Sequence, residues 1–231
     1  MKLTGVLRNA VFIRRINRFL GLIKIDGNYE HCHIRDPGML TELLIPNAKI
    51  LVKSTDIKKR KTRFELIAVD KNGLRVVVNS GLHNKLAEEI LRMKIIPELA
   101  NYEIKAKEWK FGKSRIDFLL SNDHKKYLLE VKGCTLVEEK IALFPDAATK
   151  RGQKHLKELT SSLHEGFNAG ILFLIMRKDA KSFSANFKTD PEFANLFKKA
   201  ITSGVQAFSY SFDFDGADIR VFSRVPVNIF A

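Results

Sequence analysis

Charged side chains with complementary chemistry stand inside sequence segments that are otherwise apolar. Asp117 lies within the segment 115–120, and Glu130 and Lys132 end the next such segment, which begins at residue 126. Because side chains alternate along a strand, Glu130 and Lys132 are expected to point to one face of a sheet, near Asp117 on the adjacent strand. Carboxylate oxygens bind Mg²⁺, which lowers the pKa of a bound water, and an amine orients that water and offsets negative charge on a phosphate. The pattern therefore fits metal-dependent phosphodiester hydrolysis.

A second interpretation of the same residues involves no catalysis. Charged groups within apolar strands are costly unless they are paired or bind a metal. An ion pair between Lys132 and either Asp117 or Glu130 would meet that requirement without any metal. The short D…E-x-K pattern leaves both interpretations open.

The elements that must position these residues follow from the periodicity after residue 80. Leu82, Leu86, Ile90 and Met93 recur at helical spacing. Strands are predicted at 102–109, 115–120, 126–131, 169–176 and 205–214, and further helices at 149–165 and 191–201. This alternation predicts an α/β domain over residues 81–231, with the charged residues on neighbouring strands.

The first 80 residues have a different pattern, which predicts a small β-barrel. Short strands are expected at 17–25, 29–34, 49–53, 63–69 and 74–78. Gly27-Asn28 and Asn72-Gly73 are hairpin signals. Residues 39–44 are expected to form a short helix that ends before Pro46. The predicted domain boundary lies at residue 80.

The charge balance predicts a polyanionic partner. The chain has a net charge of +14 and a pI near 9.8, and residues 1–80 hold 16 basic and 7 acidic side chains. DNA is the leading candidate, bound mostly without sequence preference, although a basic surface can also serve solubility alone. The candidate phosphate contacts are Arg8, Arg14, Arg15, Arg18, Lys58, Lys59, Arg60, Lys61 and Arg63.

Cysteine content and hydropathy predict a cytoplasmic protein. Cys32 and Cys134 are too few for a disulfide framework or a cysteine-based zinc cluster. The longest strongly apolar run, 171–176, is far shorter than the roughly 20 residues that span a bilayer. Neither export nor membrane insertion is therefore expected.

Three linked blocks resemble the sugar fermentation stimulation protein A family. The blocks are 114–118 (SRIDF), 130–137 (EVKGCTLV) and 144–156 (FPDAATKRGQKHL), and the segment 33–44 is similar to that family's N-terminal domain. The resemblance covers essentially the whole chain and is weakest after about residue 179. It implies an OB-fold β-barrel followed by a restriction-endonuclease-like α/β/α core of the PD-(D/E)xK type, with DNA binding as the activity.

The resemblance also implies roles for particular residues. Asp117, Glu130 and Lys132 match the acid and the E-x-K pair of such cores, although Ile116 replaces the proline of the PD dipeptide. A further metal-binding acid normally comes from the first helix, where the sequence offers two glutamates. The family pattern places this acid at Glu88, whereas a helical wheel puts Glu89 nearer the apolar stripe; the choice stays open.

Two residues of the second predicted helix are further catalytic candidates. Arg151 and His155 are four residues apart, so they share one helix face. They could contact a phosphate or assist proton transfer, a role that the family resemblance favours for His155. A lone helical histidine is, however, more often a surface or packing residue.

These observations support two hypotheses of different classes. The first is a DNA-binding nuclease that uses Mg²⁺ or Mn²⁺. The second is a nonspecific DNA-binding regulator of sugar or maltose metabolism whose nuclease-like core is inactive. The sequence leaves open whether the DNA is single- or double-stranded, whether RNA is also bound, and whether the chain forms a homodimer.

Overall fold

The N-terminal part of the computed structural model, which describes residues 1–55 and 61–229, is a β-barrel. Its strands are β1 (Leu7–Asn17), β2 (Leu20–Ile25), β3 (Asn28–His33), β4 (Lys49–Ser54), β5 (Phe64–Lys71) and β6 (Leu74–Val77). They pair in the order β3-β2-β1-β4-β5-β6, and a parallel pairing between β3 and β5 closes the barrel. This arrangement confirms the predicted barrel and its OB-fold type.

The barrel interior is filled by the apolar side chains that alternate along the strands. Phe12, Ile23, Val52, Leu66 and Val76 are all fully buried in one cluster. Most of β1 was not predicted, since Arg8, Arg14 and Arg15 interrupt the apolar pattern of this segment. Residues 39–44 form a single turn rather than a short helix, in which the amides of Leu43 and Leu44 donate to the Leu40 carbonyl oxygen at 3.1 and 2.8 Å.

The second part of the chain is a mixed sheet covered by helices on both faces, as predicted. Its strands are β7 (Glu103–Phe111), β8 (Ser114–Ser121), β9 (Lys126–Cys134), β12 (Asn168–Ile175), β14 (Gln206–Phe214) and β15 (Ile219–Arg224). They pair in the order β15-β14-β12-β9-β8-β7, and β9, β12 and β14 run parallel. The helix α1 (His83–Arg92) covers one face, while α2 (Lys150–His164) and α3 (Pro191–Thr202) cover the other.

A smaller sheet lies beside the main one and was not predicted. It comprises β10 (Val137–Glu138), β11 (Ile141–Phe144), β13 (Ser182–Ala185) and β16 (Val227–Asn228), in the order β10-β11-β13-β16. Strands of two to four residues are too short to show the alternation on which a sequence prediction depends.

The barrel and the core share apolar surface. Leu51, Ile67 and Val77 of the barrel belong to the same buried cluster as Leu86 and Ile90 of α1. This packing fixes the barrel against the helix that precedes the central sheet. Among residues 1–55 and 61–229, no helix is long and apolar enough to cross a membrane.

Candidate functional site

Asp117 lies where the antiparallel pairing of β8 and β9 ends. The last paired residues are Phe118 and Leu129, beyond which the two strands separate. The Asp117 carboxylate occupies the gap: its Oδ2 accepts a hydrogen bond from the Val131 amide at 2.7 Å, and its Oδ1 accepts one from Asn84 Nδ2 at 2.8 Å. One carboxylate therefore connects the two strands to the first turn of α1.

Glu130 and Lys132 point to the same side of β9, as strand alternation predicts, and face α2. Glu130 Oε1 accepts hydrogen bonds from Lys132 Nζ and from His155 Nδ1. Arg151 Nε lies 3.5 Å from His155 Nε2, on the other side of the imidazole ring. The structure thus brings together the four candidates Glu130, Lys132, His155 and Arg151.

The position of α2 depends on polar contacts at its first turn. The Thr149 hydroxyl accepts a hydrogen bond from the Gly152 amide at 3.0 Å, which caps the helix. The Thr149 amide donates to Asp190 Oδ2 at 2.8 Å, and Gln153 Nε2 donates to Asp190 Oδ1 at 2.8 Å. These contacts join the starts of α2 and α3 and hold His155, one turn later, against β9.

The two acids of the site have different electrostatic surroundings. Burial, together with the charge of Glu130, raises the pKa of Asp117 to about 6. Burial acts in the same direction on Glu130, but the positive charge of Lys132 and the hydrogen bond from His155 outweigh it, so the pKa of Glu130 lies below its ordinary value. Glu130 is therefore ionised at neutral pH, while Asp117 still binds a proton in mildly acidic solution.

The residues of the site fit a hydrated divalent cation. Glu130 Oε2 is buried and accepts no hydrogen bond within the described residues, although its partner oxygen Oε1 accepts two. The same residues contain no cluster of three or more His, Cys, Asp or Glu side chains at metal-binding distances. Mg²⁺ needs no such cluster, because it is usually held by one or two carboxylates and keeps several water ligands. Asp117 and the free oxygen of Glu130 meet that requirement.

Two further residues of the site, His83 and Asn84, were not predicted from the sequence. Asn84 binds Asp117, as described, and its Nδ2 lies 3.3 Å from Glu108 Oε1. The His83 imidazole packs against Gly133, where any Cβ would overlap its ring. Burial, with a smaller effect from Lys132, lowers the pKa of His83 to about 4, so the ring is neutral. Asn84 lies one helical turn before Glu88 on α1. Its position on the helix predicted to supply an acid is the sequence signal that could have identified it.

The two glutamates of the first helix lie elsewhere. Glu88 binds Arg92 at 2.9 Å and Lys107 at 3.0 Å, on the side of α1 that faces β7. Glu89 lies 3.1 Å from the amino group of Met1, on the side that faces β15. Neither lines the cleft that contains Asp117 and Glu130.

That cleft has a volume of about 480 Å³ and lies between the barrel and the core. The barrel contributes Arg18 and the segment 36–38, and the core contributes residues from α1, β8, β9 and the segment 144–149. Asp36 faces Asp146 across it, and burial, together with that second carboxylate, raises the pKa of Asp36 to about 6 against the effect of its hydrogen bond from Gly38. The cleft is thus bordered by polar groups from both parts of the chain.

Two of the arginines predicted to contact phosphates form ion pairs within the barrel. Arg8 pairs with Asp26, and Arg63 with Glu30 at 3.3 Å. Both pairs are on the surface, so the arginines can exchange partners at little cost. Lys58, Lys59 and Arg60 lie outside the described residues.

The remaining candidates of the barrel differ in how much of their hydrogen-bonding capacity is free. Arg15 donates to backbone carbonyl oxygens of the segment 36–39, so it supports that loop. Arg18 donates through Nε to the Pro37 carbonyl oxygen at 3.1 Å and borders the cleft. Arg14 and Lys61 are exposed.

Comparison with known proteins agrees with this architecture. The model of the SfsA N-terminal OB domain matches residues 13–78, and that of the sugar fermentation stimulation protein RE domain matches residues 81–218. A sugar fermentation stimulation protein homolog of Saccharolobus solfataricus is 44% identical over 224 residues, which cover 97% of this chain and 87% of the relative. One from Methanothermobacter thermautotrophicus is 42% identical over 200 residues, covering 87% and 83%.

A solved structure extends the similarity to the whole fold. The structure of Pyrococcus furiosus SfsA in complex with Ca²⁺ has a TM-score of 0.91 and 31% sequence identity, and the match covers 99% of both chains. The family models together span most of the chain, from the barrel through the central sheet. The chain therefore belongs to the sugar fermentation stimulation protein family.

Proposed function

We propose that this protein binds DNA and cleaves phosphodiester bonds at Asp117, Glu130 and Lys132 with a bound Mg²⁺. The observation that carries the proposal is the placement, in one cleft, of the Asp117 carboxylate, the unpaired buried oxygen of Glu130 and the Lys132 amine. The Pyrococcus furiosus relative was solved in complex with Ca²⁺, which supports a divalent cation in this family. The net charge of +14 supports a polyanionic substrate.

Asp117 and Glu130 would hold the ion, which would supply a water of lowered pKa and a positive charge near the phosphate. The protein's own residues prepare this arrangement. Lys132 Nζ lies beside Glu130 and lines the cleft, so it can donate hydrogen bonds to a phosphate oxygen as negative charge develops there. His155 holds Glu130 in place, and Arg151, which also lines the cleft, adds a cation toward the phosphate.

A cleavage assay tests the proposal. Labelled single-stranded and duplex DNA are incubated with purified protein in Mg²⁺, Mn²⁺ or EDTA. We expect cleavage in either metal and none in EDTA. Asp117→Asn should abolish it, and Lys132→Ala should slow it by about 100-fold or more, the effect of losing one group that stabilises transition-state charge.

Matched variants separate these effects from general changes in charge. Lys126→Ala removes a lysine from the other end of the same strand, and Asp123→Asn neutralises an acid in the β8–β9 turn. Both should cleave at the parental rate. A parent protein that cleaves no DNA in either metal would reject the proposal.

The alternative is a DNA-binding regulator with an inactive core, and one observation favours it. Lys132, Glu130 and His155 already form a closed network without a metal, and the side chains of Lys132 and Glu130 are only 14% and 2% exposed. In that case millimolar Mg²⁺ would neither bind nor support cleavage, while DNA binding would persist. RNA as an additional ligand and assembly into a homodimer stay predictions from the sequence.

We also propose that the protein acts in the cytoplasm. Cys32 and Cys134 are buried free thiols. Burial, the largest effect on both, raises the pKa of each thiol well above its ordinary value, so neither is a reactive thiolate. Fractionation with an antibody against the protein would test the location.

A further inference from the structure

A second groove, which we call the α2 groove, adjoins the cleft along the first turns of α2. It has a volume of about 470 Å³ and shares Glu108 and Arg151 with the cleft, so the two are adjacent. Its cations come from the β7–β8 turn, from the start of β8 and from α2, and its one acid is Glu108. The cations are Lys113, Arg115, Lys150, Arg151 and Lys154.

Several of these cations have no intramolecular counter-charge. Within residues 1–55 and 61–229, the side chains of Lys113 and Arg115 make no hydrogen bond or ion pair, and the one polar contact of Arg151 is the long hydrogen bond to His155. Arg8 and Arg63 of the barrel differ from them, because each would have to exchange a surface acid for the phosphate. Clustered cations without partners repel one another, and a polyanion along the groove would relieve that repulsion.

A contact between the barrel and the core also borders the cleft. The Leu40 amide donates to Asp146 Oδ2 at 3.4 Å, and Gly38 lies so near that a Cβ there would be 3.0 Å from Asp146 Oδ1. Arg15 fixes this loop by donating to the carbonyl oxygens of Gly38 and Met39, each at 2.8 Å. The cleft is therefore bordered by the α2 groove at Glu108 and Arg151 and by this contact at the barrel loop.

The recessed position of Glu130 and Lys132 favours single-stranded over duplex DNA. A duplex is a stiff rod with a persistence length of about 150 base pairs, and its phosphates lie on its outer surface. The side chains of Glu130 and Lys132, at 2% and 14% exposed, are too recessed for a phosphate held on such a rod. A single strand bends freely, so one phosphate can enter the cleft while its neighbours lie along the groove.

We propose that the substrate is single-stranded DNA, bound with one phosphate in the cleft and the flanking phosphates on Lys113, Arg115 and Arg151 in the α2 groove. This inference rests on the proposed function for the role of the cleft. It assigns the main electrostatic contacts to the core rather than to the barrel arginines. Lys113 and Arg115 supply charge to the strand and take no part in the chemistry.

Binding measurements test the inference without requiring cleavage. Fluorescence anisotropy in EDTA compares a labelled 20-nucleotide single strand with a duplex of the same length, over a range of salt concentrations. The test variant is Lys113→Ala/Arg115→Ala. The matched control is Lys125→Ala/Lys199→Ala, which removes two exposed charges from the far end of β8 and from the last turn of α3. Thermal unfolding checks that both variants fold like the parent.

The expected change follows from counterion release. Each lost phosphate contact lowers the salt slope for a single strand by about 0.7, so the test variant should lose about 1.4. At 0.1 M salt this corresponds to about 25-fold weaker binding, taking 1 M as the concentration at which the contacts contribute nothing. The control variant should bind as the parent does, and the parent should bind the single strand more tightly than the duplex.

Equal binding of the two variants, or duplex binding as tight as single-strand binding, would overturn the inference. Cleavage in Mg²⁺ is scored separately. A parent protein that cleaves DNA, with a groove variant that binds normally, rejects the groove alone. A parent that never cleaves, with a groove variant that has lost single-strand binding, rejects the phosphodiesterase and leaves the binding path standing.

Discussion

Asp117→Asn should stabilise the metal-free protein at neutral pH while removing one ligand of the proposed metal site. Burial, together with the nearby charge of Glu130, raises the pKa of Asp117 to about 6 from the ordinary value of 3.8. The folded state therefore binds this proton more tightly than the unfolded state does. The resulting stability is complete below the unfolded pKa and is lost as pH rises through about 6, so at neutral pH the ionised Asp117 is a cost to folding.

The size of that cost follows from the shift. A shift of about 2 pKa units corresponds to about 3 kcal/mol, since each unit is worth about 1.4 kcal/mol. The asparagine loses one of the two hydrogen bonds that Asp117 accepts from Val131 and Asn84, at a cost of about 1 kcal/mol. The net gain is about 2 kcal/mol, which for a chain of this size raises Tm by about 4 to 8 °C.

Urea unfolding of parent and Asp117→Asn protein in EDTA, at pH 7.5 and at pH 4, measures the effect. We expect the variant to be more stable at pH 7.5, and we expect the difference to disappear or reverse at pH 4, where Asp117 of the parent is protonated. The protonation of His83, whose pKa is lowered to about 4 mainly by burial, destabilises both proteins alike at low pH and cancels in the comparison. A variant less stable than the parent at pH 7.5, or an equal gain at both pH values, would refute the reasoning.

Further expectations concern the same region. Gly133→Ala should cost about 1 to 3 kcal/mol in chemical denaturation, because its Cβ would overlap the His83 ring, and His83→Ala should relieve most of that loss in the double variant; additive losses would contradict the contact. Mn²⁺ affinity, measured by calorimetry, should fall about tenfold between pH 7 and pH 5 because protons compete for Asp117, and a flat profile would exclude Asp117 as a ligand. Arg15→Ala should lose about 2 kcal/mol of unfolding free energy along with its carbonyl contacts, whereas the exposed neighbour Arg14→Ala should change it by less than about 0.5 kcal/mol. Equal losses would indicate that Arg15 does not fix the barrel loop.

The fold and the centre of the site could be predicted from the sequence because both depend on local periodicity. Helical spacing in α1 and apolar runs in β8, β9 and β12 were enough to predict the core. Strand alternation placed Glu130 and Lys132 on one face, and the adjacency of β8 and β9 brought Asp117 close to them. These are properties of neighbouring residues and of neighbouring elements.

What the sequence missed depends on contacts between distant segments. The pairing of Arg8 with Asp26 and the binding of Arg15 to the loop at 36–39 require the closed barrel, so charge alone could not show that these two arginines already have partners within the chain. A helical wheel compared Glu88 with Glu89 but held no information on which side of α1 faces the cleft. The structure puts Asn84 there instead, one turn earlier.

The α2 groove could not be predicted from the sequence for a related reason. Its cations lie in the β7–β8 turn, at the start of β8 and on α2, between residues 113 and 154. They are far apart in the sequence and come together only in the folded domain. No short window of the sequence shows them as a basic cluster, whereas the run at 58–61 is conspicuous in the sequence.

Calorimetric titration of Mn²⁺ into the metal-free protein at pH 7.5 is the most direct test of the central claim that Asp117 and Glu130 hold a divalent cation. We expect saturable binding to the parent protein, its loss in Asp117→Asn and in Glu130→Gln, and its retention in Lys132→Ala. No binding heat at millimolar Mn²⁺, or binding that survives both acid substitutions, would contradict the account.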